Sequence, residues 1–116
     1  MRRVTVLAVD DDAPVLRTTA IRLRRAGYEV VEAPSGPAAL SMLESRSDIA
    51  IIVSDCQMPQ MSGADLARIA LARWPQITFI AVSGQPPDGS LPDQVRFVPK
   101  PFRIATLVAA IEDASP

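Results

Sequence analysis

The 116-residue chain contains no histidine and only one cysteine, Cys56. A single cysteine cannot form an internal disulfide, and without histidine a zinc site of the usual kinds is nearly excluded. Because disulfides are rare in the cytosol, this composition favours a cytoplasmic protein.

The chain also lacks a run of charge of one sign and a long apolar stretch. Twelve basic and thirteen acidic residues leave a net charge of −1, so no basic block is available for nucleic acid or an anionic membrane surface. The apolar stretches are too short to span a bilayer. The start "MRR" is followed by a short apolar run that ends in three aspartates, without a signal-peptide cleavage site. We therefore expect neither direct nucleic-acid binding nor membrane attachment.

Short β-branched runs alternate five times with segments of helical periodicity. The strands are predicted at residues 5–10, 28–33, 50–54, 78–82 and 96–98, and this alternation indicates a parallel sheet with crossover helices. The runs "AIIVS" and "TFIAVS" are continuously apolar, as expected of strands that are covered on both faces. With 48% hydrophobic residues, the chain is predicted to form one domain, residues 1–116.

The alternation fails at "GQPPDGSLPDQ", residues 84–94, where a fourth helix is expected. Three prolines and two glycines leave room for at most one helical turn, so we predict that this helix is shortened or replaced by a loop. The loop either serves a partner or is a tolerated shortening, and the sequence leaves both interpretations open.

Polar side chains follow the predicted strands at the points where the apolar runs stop. Asp10 and Asp11 come at the end of the first strand, Asp55 after the third, Ser83 after the fourth and Lys100 after the fifth. In a parallel α/β sheet, ligands bind in the crevice outside the carboxyl ends of the strands, so these residues are predicted to converge on one edge.

The ordered motifs "VDDD", "SDCQMPQMSG", "SG" and "PKPF" resemble those of the receiver domain of two-component response regulators, and the resemblance spans the chain. It implies a flavodoxin-like α/β fold, a (βα)5 doubly wound parallel sheet of five strands in the order 2-1-3-4-5. It also implies a signalling domain rather than an enzyme. Such a domain accepts a phosphoryl group from a phosphohistidine on a histidine kinase or histidine phosphotransfer protein. It then switches a protein-binding surface for a downstream partner that the sequence does not identify.

The resemblance also implies a phosphoacceptor and a metal site. Asp55 is the implied acceptor, and Asp10 and Asp11 are the implied holders of Mg²⁺. Mg²⁺ prefers octahedral oxygen ligands and keeps several waters. We therefore expect Asp11 to ligate the ion directly, Asp10 mostly through water, Asp55 through one carboxylate oxygen and Gln57 through its backbone carbonyl. Asp12 is interpreted as a solvated charge near the start of the first helix.

Four further positions take roles from the same resemblance. Ser83 and Lys100 are expected to contact the phosphoryl oxygens, and Ser83 and Phe97 form the implied switch pair. The peptide bond before Pro101 is expected to be cis.

Three residues are predicted to flank the path of the water that removes the phosphoryl group. Gly84 would leave this path open, whereas the amides of Gln57 and Gln85 could each position an incoming water or block it. Gly84 could instead be present only because its backbone is flexible at the start of a proline-rich loop.

Two other functions compete with a phosphoacceptor domain. A phosphatase of the haloacid-dehalogenase type needs a second acid two residues after its aspartate, where this chain has Gln57. A pseudo-receiver that binds partners without phosphorylation is the remaining alternative, although such domains usually lose an acidic or lysine position. Mg²⁺ binding discriminates, since a pseudo-receiver is expected to bind none.

The sequence leaves open how the domain is used. Met1 favours a single-domain regulator, whereas "MSGADLARIA" and "RFVPKPF" look similar to receivers at the C-terminal end of hybrid histidine kinases.

Overall fold

A computed structural model describes residues 4–86 and 88–114. Its elements are β1 (Thr5–Val9), α1 (Ala13–Arg25), β2 (Glu29–Ala33), α2 (Gly36–Ser45), β3 (Ile49–Asp55), α3 (Gly63–Arg73), β4 (Thr78–Ser83), β5 (Arg96–Pro99) and α4 (Ile104–Ala114). All strand pairs are parallel, and the order in the sheet is β2-β1-β3-β4-β5. The predicted doubly wound, flavodoxin-like fold is confirmed.

Apolar side chains pack on both faces of the sheet. Alternate residues of β1 point to opposite sides, so that Val6 packs with α1 and α4 while Leu7 packs with α2 and α3. This explains why most residues of the central strands are apolar. No helix in the part of the chain that the structure describes is long and apolar enough to cross a membrane.

Each of the first three helices begins with a side-chain cap. Asp12 accepts a hydrogen bond from the backbone N–H of Val15 at the start of α1, and Ser35 caps α2 in the same way. At α3, Ser62 and Asp65 form a capping box, in which each side chain accepts a hydrogen bond from the other residue's backbone N–H. These caps fix where the loops that leave β1 and β3 end.

The predicted ends of the strands were wrong by one residue at several points. β3 and β4 extend through Asp55 and Ser83, because the backbone ladder continues past the last apolar side chain. The N–H of Cys56 donates to the carbonyl of Val82 at 3.0 Å, and the N–H of Lys100 donates to that of Ser83 at 2.8 Å. The predicted acceptor and hydroxyl therefore belong to the sheet itself.

Other predicted limits also differ at their outer residues. β1 ends at Val9 rather than at Asp10, because the chain turns there and the Asp10 side chain accepts a hydrogen bond from the N–H of Asp12. β2 begins at Glu29, one residue later than predicted, and β3 begins at Ile49, one residue earlier than predicted. β5 ends at Pro99, one residue later than predicted.

The segment between β4 and β5 contains no helix within its described residues, 84–86 and 88–95. It is built from turns: Asp88 accepts a hydrogen bond from the N–H of Ser90, and the N–H of Val95 donates to the carbonyl of Pro92. Gly89 has φ +88°, a conformation that L residues rarely adopt. The prediction that a loop replaces the fourth helix is confirmed, and the C-terminal helix is α4.

β5 forms one edge of the sheet and positions Lys100. Because the Lys100 N–H donates to β4, the nitrogen of the preceding residue, Pro99, faces the open edge. Proline has no N–H, and at this position no hydrogen bond of the sheet is lost. The same residue removes a donor that another strand could pair with.

Candidate functional site

Three carboxylates converge at the carboxyl edge of the sheet. One oxygen from each of Asp10, Asp11 and Asp55 lies within 4.8 Å of the others. Asp10 and Asp55 are buried, with exposures of 6% and 9%, whereas Asp11 is exposed. β1 and β3 are neighbours in the sheet, which brings together aspartates 45 residues apart in the chain. The cluster therefore opens to solvent on the side of Asp11.

Lys100 provides a positive charge beside this cluster. Its Nζ lies 3.4 Å from Asp10 Oδ2 and 3.5 Å from Asp55 Oδ1, so that it bridges the two buried carboxylates. Three carboxylates and one ammonium have a formal charge of −2. Hard oxygen donors with this residual charge suit a divalent cation such as Mg²⁺, so the residues present fit the implied metal.

The surroundings of Asp10 act on its protonation in opposite directions. Burial raises the pKa of the Asp10 carboxyl above its ordinary value, while the hydrogen bond from the Asp12 N–H and the charge of Lys100 lower it; the burial effect is the larger. The nearby charge of Asp55 raises the same pKa. Ionisation of Asp10 is therefore less favourable in the metal-free protein than for a carboxyl exposed to water.

Ser83 lies at the end of β4 and is only 2% exposed. Its Oγ accepts a hydrogen bond from the N–H of Gln85 at 3.1 Å, and its carbonyl accepts one from Lys100. A hydroxyl that accepts one hydrogen bond still has its own proton to donate. The fold thus holds a potential donor beside the residue that bridges the carboxylates.

A cleft of about 770 Å³ lies next to Ser83, between the start of α3 and the loop that replaces the fourth helix. Gln57, Gln85 and the half-buried ring of Phe97 line it. Cys56 also lines the cleft, and burial raises the pKa of its thiol, with a further contribution from the charge of Asp55. The thiolate that redox chemistry requires is thereby disfavoured.

The remaining predicted positions lie around this cleft and the lysine. Gly84 is exposed and lies outside the left-handed region. Among the described residues other than its two chain neighbours, no heavy atom lies within 4 Å of where a Cβ would stand. The backbone conformation observed at this position therefore does not by itself require glycine. The Lys100–Pro101 peptide bond is cis.

Two contributions to the site were missed by the sequence interpretation. The backbone N–H of Asp12 donates to Asp10 Oδ1 at 3.0 Å, in addition to the capping role of the Asp12 side chain. The buried hydroxyl of Ser54 donates to the carbonyl of Asp55 at 3.0 Å. Ser54 could have been noticed as a polar residue within an otherwise apolar strand, whereas a backbone N–H leaves no signal in a sequence.

Comparison with known proteins supports the resemblance to the receiver domain of response regulators. The family model for the response regulator receiver domain matches residues 6–112. The chain is 37% identical over 115 residues to the sensor kinase CckA of Brucella abortus, covering 94% of this chain and 12% of the kinase. It is 30% identical over 112 residues to the response regulator receiver protein CpdR of the same organism, covering 92% of each.

Two solved structures are also similar to this chain over nearly its whole length. The receiver domain of the hybrid histidine kinase CckA matches with a TM-score of 0.83 and 31% sequence identity, covering 97% of this chain and 99% of that one. FixJ-N matches with the same TM-score at 30% identity, covering 98% and 94% of the two chains.

A doubly wound parallel sheet with an acidic cluster and a lysine at its carboxyl edge defines a flavodoxin-like domain with a candidate metal site. Together with the match over residues 6–112, it shows that the chain belongs to the response regulator receiver domain family. The chain spans 12% of CckA and 26% of the transcriptional regulatory protein GlrR of Escherichia coli K12, but 92% of CpdR.

Proposed function

We propose that the chain is a phosphoacceptor in a two-component phosphorelay, in which Asp55 takes a phosphoryl group from a phosphohistidine with the help of Mg²⁺. The observation that carries the proposal is the contact of Lys100 with both Asp10 and Asp55 inside the three-carboxylate cluster. The relatives of the chain include a sensor kinase and a response regulator receiver protein. This supports a histidine kinase or histidine phosphotransfer protein as the donor of the phosphoryl group.

In the proposed reaction, a carboxylate oxygen of Asp55 attacks the phosphorus in line with the bond to the histidine nitrogen. The new P–O bond forms as the P–N bond breaks, and the electron pair of that bond returns to the imidazole. Bound Mg²⁺ would neutralise negative charge on the phosphoryl oxygens, held by Asp10, Asp11, Asp55 and the carbonyl of Gln57.

Lys100 and Ser83 supply the remaining charge stabilisation. When a phosphoryl group occupies Asp55, the Lys100 ammonium can leave its carboxylate partners and contact a phosphoryl oxygen, and Ser83 Oγ can donate its proton to another. Movement of Ser83 would be transmitted to Phe97 through the cleft that both residues line. In this proposal the change of Phe97 alters the surface offered to a downstream protein.

The proposal is tested by incubating the chain with acetyl phosphate and Mg²⁺ and measuring its intact mass. We expect one added phosphoryl group, and none when EDTA removes the metal. A folded chain that neither binds Mg²⁺ nor gains a phosphoryl group would instead be the pseudo-receiver.

The lifetime of the phosphorylated form is predicted to depend on Gly84. A Cβ at this position would have space, because no heavy atom of the described residues other than the two chain neighbours lies within 4 Å of it. A valine side chain there would cover the approach to Asp55 next to Gln57 and Gln85. We therefore expect Gly84→Val to slow both phosphorylation by acetyl phosphate and the later loss of the phosphoryl group several-fold, with Mg²⁺ binding retained.

Gly84→Ala is the graded control and is expected to give a smaller effect in both directions. Both rates can be followed by intact mass, after removal of the donor for the second. If the two variants keep the native circular dichroism spectrum and both rates equal those of the original chain, the water-access role of Gly84 is wrong.

A further inference from the structure

The backbone of the acceptor residue is held at two points that do not belong to the charged cluster. The last β1 residue, Val9, pairs with Ser54, so Asp55 lies one residue beyond the end of that pairing. Its carbonyl instead accepts a hydrogen bond from Ser54 Oγ at 3.0 Å. Ser54 is 0% exposed, which places this bond in the protein interior.

Gly63, the first residue of α3, makes the second contact. Its N–H donates to the carbonyl of Cys56 at 2.9 Å, which closes the loop of residues 56–62 back onto the end of β3. A Cβ at this position would lie 2.6 Å from the carbonyl oxygen of Asp55 and 2.8 Å from the Cα of Cys56. The start of α3 is therefore packed directly against the acceptor's own backbone.

Gly36, the first residue of α2, provides a comparison. A Cβ there would also be crowded, at 2.5 Å from the Sδ of Met61, but that atom belongs to a flexible side chain. The Met61 side chain can move, whereas a backbone that is paired in a sheet cannot move without disturbing its neighbours. Both glycines are thus the first residue of a helix. A side chain at Gly36 would meet a movable methionine side chain, whereas a side chain at Gly63 would meet the backbone of β3.

From these contacts we propose that Ser54 and Gly63 are positioning residues for phosphoryl transfer. They hold the backbone of residues 55–57, which sets both the direction of the Asp55 carboxylate and the position of the Gln57 carbonyl. The inference rests on the proposed function of Asp55. In-line transfer needs close alignment, and a displacement of about 1 Å can reduce a rate by about 100-fold.

The first arm of the test uses Ser54→Ala, which removes only a hydroxyl. The rate of phosphorylation by acetyl phosphate at saturating Mg²⁺ is expected to fall by about tenfold. The dissociation constant for Mg²⁺, from amide NMR shifts, is expected to rise. Ser54→Thr keeps a hydroxyl in a β-branched residue that suits a strand, and is expected to restore the rate even where the extra methyl lowers stability.

The second arm compares Gly63→Ala with Gly36→Ala. We expect Gly63→Ala to reduce the rate by on the order of 100-fold, because the acceptor backbone must shift. Gly36→Ala is expected to keep the rate within about twofold, since a methionine side chain can adjust. If Gly63→Ala does not fold, the two Ser54 variants decide the question.

All rates are measured at a temperature at which urea unfolding shows each variant to be fully folded. A purely structural role would lower the free energy of unfolding and leave the rate and the Mg²⁺ affinity of the folded chain unchanged. Suppose that the original chain is phosphorylated but Ser54→Ala has the same phosphorylation rate and the same Mg²⁺ affinity. The positioning role would then be wrong, while the proposed function would stand. If the original chain takes no phosphoryl group, the proposed function fails, and an unchanged Mg²⁺ affinity in Ser54→Ala would then overturn the positioning role as well.

Discussion

Asp55→Asn is expected to leave the chain folded but unable to take a phosphoryl group from acetyl phosphate. The asparagine amide has nearly the same shape as the carboxylate, but it carries no negative charge and is a far weaker nucleophile toward phosphorus. The substitution also removes one of the two carboxylates that Lys100 contacts. We therefore expect complete loss of the added mass in the presence of Mg²⁺, with Mg²⁺ affinity reduced.

The matched control is Asp113→Asn, which makes the same chemical change at an exposed position of α4. It is expected to gain one phosphoryl group at the rate of the original chain. Peptide mapping of the phosphorylated control should place the group on Asp55. Persistence of the added mass in Asp55→Asn would show that another residue accepts the phosphoryl group and would contradict the assignment.

The convergence of Asp10, Asp55 and Lys100 could be predicted from the sequence, although they lie up to 90 residues apart. The reason is that apolar runs mark the strands, and in a parallel sheet all the strands end at the same edge. The prediction therefore required only that each residue lie at the end of its own apolar run. The loop in place of the fourth helix was predictable for a similarly local reason, because its prolines and glycines oppose a helix.

The exact strand ends could not be predicted in the same way. β3 and β4 continue through Asp55 and Ser83 because backbone N–H and carbonyl groups pair whatever the side chain is. A pattern of apolar side chains stops one residue too early at such positions. The difference matters for function, because the predicted strand end leaves the proposed acceptor in a loop, whereas the structure places it in the last position of β3.

The contacts of Ser54 and Gly63 depend on how the chain closes in three dimensions. In the sequence, a serine in an apolar run is only an interruption, and a glycine before a helix is only a common turn residue. The structure shows instead that Ser54 donates a hydrogen bond to the carbonyl of Asp55, and that a side chain at Gly63 would collide with the same carbonyl. Such contacts join residues across a loop, and periodicity does not report them.

The acidic cluster is expected to reduce the stability of the metal-free chain, and Asp10→Asn tests this directly. Two carboxylates within 4.8 Å of each other repel by at least about 3.5 kcal/mol at an effective dielectric constant of 20. Lys100, at 3.4 Å from Asp10, offsets much of that repulsion. In EDTA at neutral pH, we expect Asp10→Asn to raise the free energy of unfolding by about 1 kcal/mol.

The control for this variant is Asp12→Asn, which removes the same charge two residues along the chain. Asparagine is as good an N-cap as aspartate, so the start of α1 is preserved. Urea unfolding is expected to show little change in stability for this control. Mg²⁺ affinity should fall by on the order of tenfold in Asp10→Asn, as for other residues that act on a metal through water, and should be retained in Asp12→Asn.

The stability difference between Asp10→Asn and the original chain is expected to depend on pH in one direction. Burial raises the pKa of Asp10 above its ordinary value of 3.8, so below pH 3.8 the carboxyl is neutral in both folded and unfolded chains and the difference disappears. As the pH rises through the raised pKa, the original chain loses stability relative to the variant, and the difference then becomes constant. Excess Mg²⁺ should reduce or reverse this order at neutral pH, because it binds the folded original chain more tightly. An original chain that is the more stable of the two at neutral pH in EDTA would contradict this account of Asp10.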